Sequence, residues 1–297
     1  MDAANNRAKL PEVVYEPGGE RLAALDLWRR IFRETWGARE LAWGLLARDL
    51  SVRYRQSALG YFWAIAPPIG TTLLFVYLKD ESFLKIRDPK HMPYTAYLLF
   101  GLTIWQIFMG GLTATTQSLV QAGNLVSKIN FPRECLVFAS FGGVLCDVLI
   151  RAALVTVVFG WYAAHPMPNR EPLEVAWTIV FLPLVLAPLM LLTLGLGFLL
   201  SLCHALVRDT ATALSVALWL LFFLVPIIYP PPRHWPKVLV NDLNPVSAFL
   251  TAAHDVTVVG EITRPASFAM ACLVAVLVFF LGWRVFRIAQ PLLAERV

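Results

Sequence analysis

The 297-residue chain is 58% hydrophobic and only 15% charged, with a mean hydropathy of +0.63 and a formal net charge of +5. A soluble domain carries about 25% charged residues, so a water-soluble globular protein is excluded, and no nucleic-acid partner is expected. The charges gather before residue 56 and in short loops, and the blocks between them read as an all-α polytopic membrane protein.

The first apolar block lies too far from Met1 for a signal peptide. Ahead of it, Ala24, Trp28, Ile31, Phe32, Thr35 and Trp36 recur at helical spacing, with Arg29, Arg30, Arg33 and Glu34 opposite. This predicts an amphipathic helix in the membrane interface. "RDLSVRYRQ" (48–56) marks a water line, with Tyr54, Tyr61 and Trp63 as interfacial aromatics. The boundary between an N-terminal segment (1–56) and a transmembrane domain (57–297) is placed there. The first span, Ser57–Leu78, contains Pro67 and Pro68, each lacking a backbone donor. They read either as a plain kink or as a bend around a conduit, where neighbours can satisfy the freed carbonyls.

The second span is Thr95–Leu119, with a small face at Gly110, Gly111 and Ala114; the third is Cys135–Ala163, with another at Ala139 and Gly143. Between them "SLVQAGNLVSKINFPRE" (118–134) is too polar to span. Its early part is helix-compatible, Pro132 ends it, and Lys128, Arg133 and Glu134 are expected to face the cytosol as a docking knob for a partner protein. In the third span, Asp147 and Arg151 are four apart, on one helical face. Intramembrane charges are costly, and the pair reads either as a packing device or as pore lining. The remaining spans are Leu173–Leu202, Ala211–Tyr229 and Ser267–Val285, the glycines of "GLGF" (195–198) serving helix packing. The third and fourth spans are over-long and should tilt or bend.

Six spans put both termini on one side. With that side cytoplasmic, the inner segments hold 16 lysines and arginines against 8 outside, Arg151 lying within a span; cytoplasmic termini follow. No G-x-x-x-x-G-K-[ST] phosphate loop occurs, the five histidines lack metal-ligand spacing, and no carboxylate pair is placed for acid–base work. The four cysteines read as apolar fillers. No catalytic or metal-ligating constellation is therefore expected on this chain.

"RDLSVRYRQSALGYFWAIAPP", "FGLTIWQIFMGGL", "LVSKINFPRE", "VRDTATALSVALWLLFFLVPIIY" and "LNPVSAF" occur in this order. As a set they resemble the permease subunits of ABC-type exporters of cell-surface polysaccharides (O-antigen, capsule, teichoic acid), members of the ABC-2 type. The likeness runs from about Arg48 to the last span. The first outer loop, "LKDESFLKIRDPKHMPY", is more charged than the family pattern, and the segment before Arg21 has no counterpart.

The resemblance implies a homodimer of twelve spans with a conduit at its interface, each copy docking a separate ATP-binding subunit that holds ATP and Mg. No cofactor is expected on this chain. It implies a coupling helix over Gln117–Glu134, with Gln121, Asn124, Lys128, Phe131, Pro132, Arg133 and Glu134 facing the ATPase. An amphipathic helix at about Glu20–Ala47 should also touch the ATPase. Re-entrant outer helices should fill 230–265, where Val246–Gly260 is apolar yet too short to span. The cargo would be a lipid-linked polysaccharide, on undecaprenyl pyrophosphate, crossing the bacterial inner membrane. Arg48, Arg53 and Arg55 would hold the pyrophosphate, which guanidinium binds in bidentate fashion, or else mark topology and grip lipid headgroups. Trp63, Tyr77, Phe100, Trp105, Phe108, Phe222, Asp147 and Arg151 are the candidates to line the conduit. An ABC-2 permease exporting a drug or small lipid is the alternative.

Overall fold

The computed structural model describes residues 24–55, 62–83, 86, 89, 91–123, 131–165, 173–232 and 237–294, and every element among them is helical. The first helix, α1 (Ala24–Gly37), stands as a unit by itself. It is amphipathic as expected. Phe32 and Trp36, one turn apart, stack at 6.1 Å and are both exposed, while Arg29 and Arg33 are exposed alongside. Residues 20–23 of the expected interfacial helix lie outside the described residues.

Everything from Ala38 onward forms the second unit. It begins with α2 (Arg39–Arg55), so the water-line sequence is helical up to Arg55. Among the described residues, five helical stretches are long and apolar enough to cross a membrane. They are α3 (Phe62–Asp80), α4 (Tyr94–Gln121), α5 (Glu134–Ala164), a 3-10 turn (Trp177–Phe181) leading into α6 (Leu182–Leu206), and α10 (Pro265–Ala294). α3 is assigned as helix straight through Pro67 and Pro68, and the prolines do not end it. At about 1.5 Å per residue, α5 exceeds the ~30 Å hydrocarbon layer.

The fifth predicted span is shorter than its apolar run. α7 covers only Thr210–Leu224, about 22 Å of helix. Pro226 cannot continue the hydrogen-bond ladder and drives Val225 to an extended conformation, ψ 143°. The chain beyond is nonetheless inside the protein: Val225 and Ile227 are fully buried. The Tyr97 hydroxyl on α4 makes a bifurcated bond to the freed carbonyls of Pro226 (2.8 Å) and Tyr229 (3.0 Å). Irregular backbone at membrane depth needs such an internal donor.

α4 is the axis of the fold, the most deeply buried of the five candidate spans, packed by α3, α5, α6 and α7. Leu98, Ile104 and Ile107 from α4, Val137 from α5, Leu189 and Phe198 from α6 and Phe286 from α10 make the driest layer. Around Phe198 an aromatic cluster forms with Phe138 (5.5 Å, edge-on), Phe286 (5.1 Å) and Trp283 (stacked, 6.3 Å). Such pairs add about 0.5–1.5 kcal/mol each beyond burial. α6 and α10 approach backbone to backbone at Gly195 and Gly282, where a Cβ on Gly195 would lie 2.6 Å from Phe279 Cα. The packing role read for the "GLGF" glycines is what the geometry shows. The four cysteines are unpaired.

After residue 236 come α8 (Lys237–Leu243) and α9 (Pro245–His254), then a π turn (Asp255–Val259) stopped by Gly260 at φ 91°. Asn244 caps α9, its side chain accepting from Val246 N at 3.1 Å, with Pro245 in the first helical position. All of Val246–His254 is buried against α4, α6 and α10. Asn244→Ala should therefore lower the stability of the purified protein by about 1 kcal/mol, read as a small drop in unfolding temperature with helix content unchanged.

Candidate functional site

A polar stripe runs along one face of α4: Gln106, Gly110, Thr113, Ala114, Gln117 and Gln121 recur at spacings of three and four. α5 presents Leu136, Ala139, Ser140, Gly143, Val144 and Asp147 at the same period, and α2 contributes Leu45, Arg48, Asp49 and Val52. The three helices enclose an open groove of about 760 Å³.

Small residues create this space. A Cβ on Gly110 would come within 3.2 Å of Val144 Cγ1, so the glycine keeps α5 and the Gln106 amide together without a side chain between them. At Gly143 the nearest atom is Leu46 Cδ1, 3.9 Å away. The helix-contact faces read at Gly110, Ala114, Ala139 and Gly143 thus frame a groove as well as a contact; Gly111 turns the other way, toward Thr193 and Phe141.

The lining mixes apolar side chains with amides and hydroxyls, and its charged members are Arg48, Asp49 and Asp147. Gln121 Nε2 donates to Gln117 Oε1 at 2.9 Å, and the Thr113 hydroxyl donates to the Met109 carbonyl at 2.8 Å. Arg48 and Asp49 pair at 2.9 Å, both side chains more than half exposed. An exposed pair contributes under about 1 kcal/mol, so either member exchanges partners readily. Asp147 is buried at the groove wall, and Arg151, one turn on, is half-buried outside it. Amides, hydroxyls and one buried carboxylate suit a ligand rich in hydroxyl groups. Among the described residues no group of His, Cys, Asp and Glu could hold a metal.

The residues expected to meet the ATPase divide. Gln121 ends α4 at the mouth of the groove; Asn124 and Lys128 lie outside the described residues. Phe131, Pro132 and Arg133 are half-buried. Arg133 donates to the Gln290 carbonyl at 3.1 Å, and partial burial lowers its guanidinium from its ordinary value. Glu134 corrects the expectation. It is not presented to the cytosol but completely buried, paired with Arg287 at 2.7 Å. As the first residue of α5 its carboxylate also sits at a helix N-terminus, where negative charge is favoured.

Of the arginines read as headgroup or pyrophosphate ligands, Arg48 lines the groove, while the side chains of Arg53 and Arg55 lie outside the described residues. The aromatic residues need a second correction. Phe100, Trp105 and Phe108 are buried and line no conduit in this chain, because the neighbours of α4 close over that face. Phe100 packs on Phe159 (5.7 Å) and His254 (4.9 Å), and Trp105 on Phe108 (5.7 Å) and the half-buried Phe222 (6.0 Å). Trp63 and Tyr77 are exposed on α3, away from the groove. Sequence reasoning missed Gln106, Thr113, Gln117 and Ser140. The readable signal was their recurrence on single helical faces of apolar spans.

Comparison with known proteins adds to this geometry. The sequence model described as ABC-2 type transporter matches residues 40–258, a stretch that contains all three groove helices except Arg39 of α2. The chain is 26% identical over 226 residues to the O-antigen export system permease protein RfbA of Myxococcus xanthus, covering 75% of this chain and 82% of that protein. It is 26% identical over 182 residues to a protein of the same description from Klebsiella pneumoniae, covering 61% of this chain and 66% of that protein, just under two thirds of its length. It is 21% identical over 253 residues to the polysialic acid transport protein KpsM of Escherichia coli, covering 82% and 91%.

Proposed function

The chain belongs to the ABC-2 type transporter family, and from that premise we propose that it is the permease subunit of an ATP-driven exporter of a cell-surface polysaccharide. The observation that carries this reading is the groove: an open cleft along α4 in which the amides of Gln106, Gln117 and Gln121 and the hydroxyls of Thr113 and Ser140 interrupt an otherwise apolar wall, in a chain otherwise built for hydrocarbon. Sugar chains offer hydroxyl groups that such a lining can bond weakly and repeatedly, which suits a moving polymer better than a few strong contacts. The names of the relatives, O-antigen export and polysialic acid transport proteins, agree with that cargo.

In this reading two copies assemble in the bacterial inner membrane with both termini cytoplasmic, a sense supported by the two-to-one bias of lysine and arginine. α7 together with the buried Val225–Ile228 stretch makes a sixth span, and α8 and α9 are the re-entrant outer helices. ATP and Mg are held by a separate ATPase, met by Gln121, Asn124, Lys128, Phe131, Pro132 and Arg133. The polymer arrives on a lipid pyrophosphate. Arg48, released from its exposed pair with Asp49, binds the phosphate oxygens at the mouth of the groove. Trp63 and Tyr77, exposed on α3, line the path where the second copy joins.

Deleting the gene and fractionating the cells tests the reading. Polymer should accumulate in the cytoplasm and vanish from the surface, with recovery on complementation. A normal surface polymer together with new drug sensitivity would replace polysaccharide by a small molecule as the cargo.

A further inference from the structure

Glu134 and Arg287 are 153 positions apart, yet they form an ion pair at 2.7 Å in which the carboxylate is wholly buried. Glu134 opens α5; Arg287 lies near the end of α10. The contact is reinforced beside it, where Arg133 donates to the Gln290 carbonyl at 3.1 Å. Trp283 and Gln290 stand at i−4 and i+3 from Arg287, on the same face of α10. One face of α10 thus meets the start of α5 at two places, the Glu134 carboxylate and the Arg133 guanidinium. α10 in turn meets α6 backbone to backbone at Gly282 and Gly195, and α6 meets α4 at Gly197 and Thr115.

A buried ion pair contributes little net stability and is replaceable by apolar residues, whereas removing one partner is strongly destabilising. Its use is to fix one arrangement. Here the arrangement joins the start of α5 to α10, and α10 to α6 by the close approach of Gly282 and Gly195. We infer that Glu134 and Arg287 are positioning residues forming a transmission clamp. A push delivered at Phe131–Arg133 is passed from the first residue of α5 to α10 through the pair, and from α10 to α6, without running the length of α5. The inference rests on the exporter reading for the source of the push, the ATPase, but not on the identity of the cargo.

The test uses the full permease purified with its ATPase from the native host. Spin labels at Ile288, exposed on α10, and at Leu149, exposed on α5, report the distance change between the nucleotide-free and vanadate-trapped states. In Arg287→Gln the complex should assemble and hydrolyse ATP at the basal rate, while the nucleotide-dependent distance change disappears and export falls about ten-fold or more. Glu134→Gln, a near-isosteric change, should do the same and guards against a folding defect in the first variant. Cysteines in place of both Glu134 and Arg287, joined by a short bifunctional thiol reagent, should restore the distance change. An unchanged distance response in both variants would overturn the clamp, as would a lost response that the covalent bridge does not restore. So would lowered abundance with a normal response in the surviving fraction. A wild-type complex that shows the distance change but moves no polysaccharide would overturn the cargo and leave the clamp standing.

Discussion

Gly143→Trp is expected to abolish surface polymer while leaving the permease folded and joined to its ATPase. The nearest atom to a Cβ at Gly143 is Leu46 Cδ1 at 3.9 Å, an ordinary contact, so α5 accepts a side chain there without shifting its neighbours. The space the new side chain enters is the groove itself. The indole is the bulkiest of the natural side chains, and within a groove of about 760 Å³ it narrows the way for a hydrated polymer. Export should fall to background in a surface-polymer assay, with membrane abundance within a factor of about two of wild type, as expected for a change outside the packed core. Gly143→Ala, which adds one methyl group, should export normally. Loss of export in both would point to α2–α5 packing instead of obstruction.

Gly195→Val should be the most damaging single change to the fold. The obstacles to its side chain are the Phe279 backbone atoms and the Val278 carbonyl, each 2.6 Å from the Cβ position, and backbone cannot move aside as a rotamer can. Separating α6 from α10 also loosens the Phe198, Trp283 and Phe286 cluster. Overpacking a core costs about 1–3 kcal/mol and more where backbone is displaced. The expected result is near-complete loss from the membrane, or a fall of several degrees in unfolding temperature if any protein survives purification. Gly70→Ala is the control: it lies in α3 with no atom within 4 Å of its Cβ position, and it should be neutral or slightly stabilising by helix propensity.

The long apolar helices were legible because length and composition alone decide them. The predicted second span, Thr95–Leu119, differs from α4 by one residue at its start and two at its end. The apolar stretch read as Val246–Gly260 differs by one residue at each end from α9 and its π turn, Pro245–Val259. Hydropathy could not show where the helix within Ala211–Tyr229 ends, because Pro226 stops it while the apolar residues around it continue. It also failed to rank the aromatic residues, since burial of Phe100, Trp105 and Phe108 depends on which helices surround α4. The groove was half visible. Its small residues were recognised, but Gln106 and Gln117 carry no charge and scarcely alter the mean hydropathy of a span. Glu134 was misread for a different reason. Its partner Arg287 lies 153 residues away, and no local pattern connects them.

The most direct test of the groove as the polymer path is a photo-crosslinking residue in place of Gln117, irradiated in cells making the polysaccharide. The account predicts a ladder of permease adducts that reacts with polymer-specific antibody and disappears when polymer synthesis is blocked. The same probe at Leu149, exposed on the outer face of α5, should give none. A probe at Gln117 that captures only lipid or neighbouring protein, in cells that export normally, would contradict it.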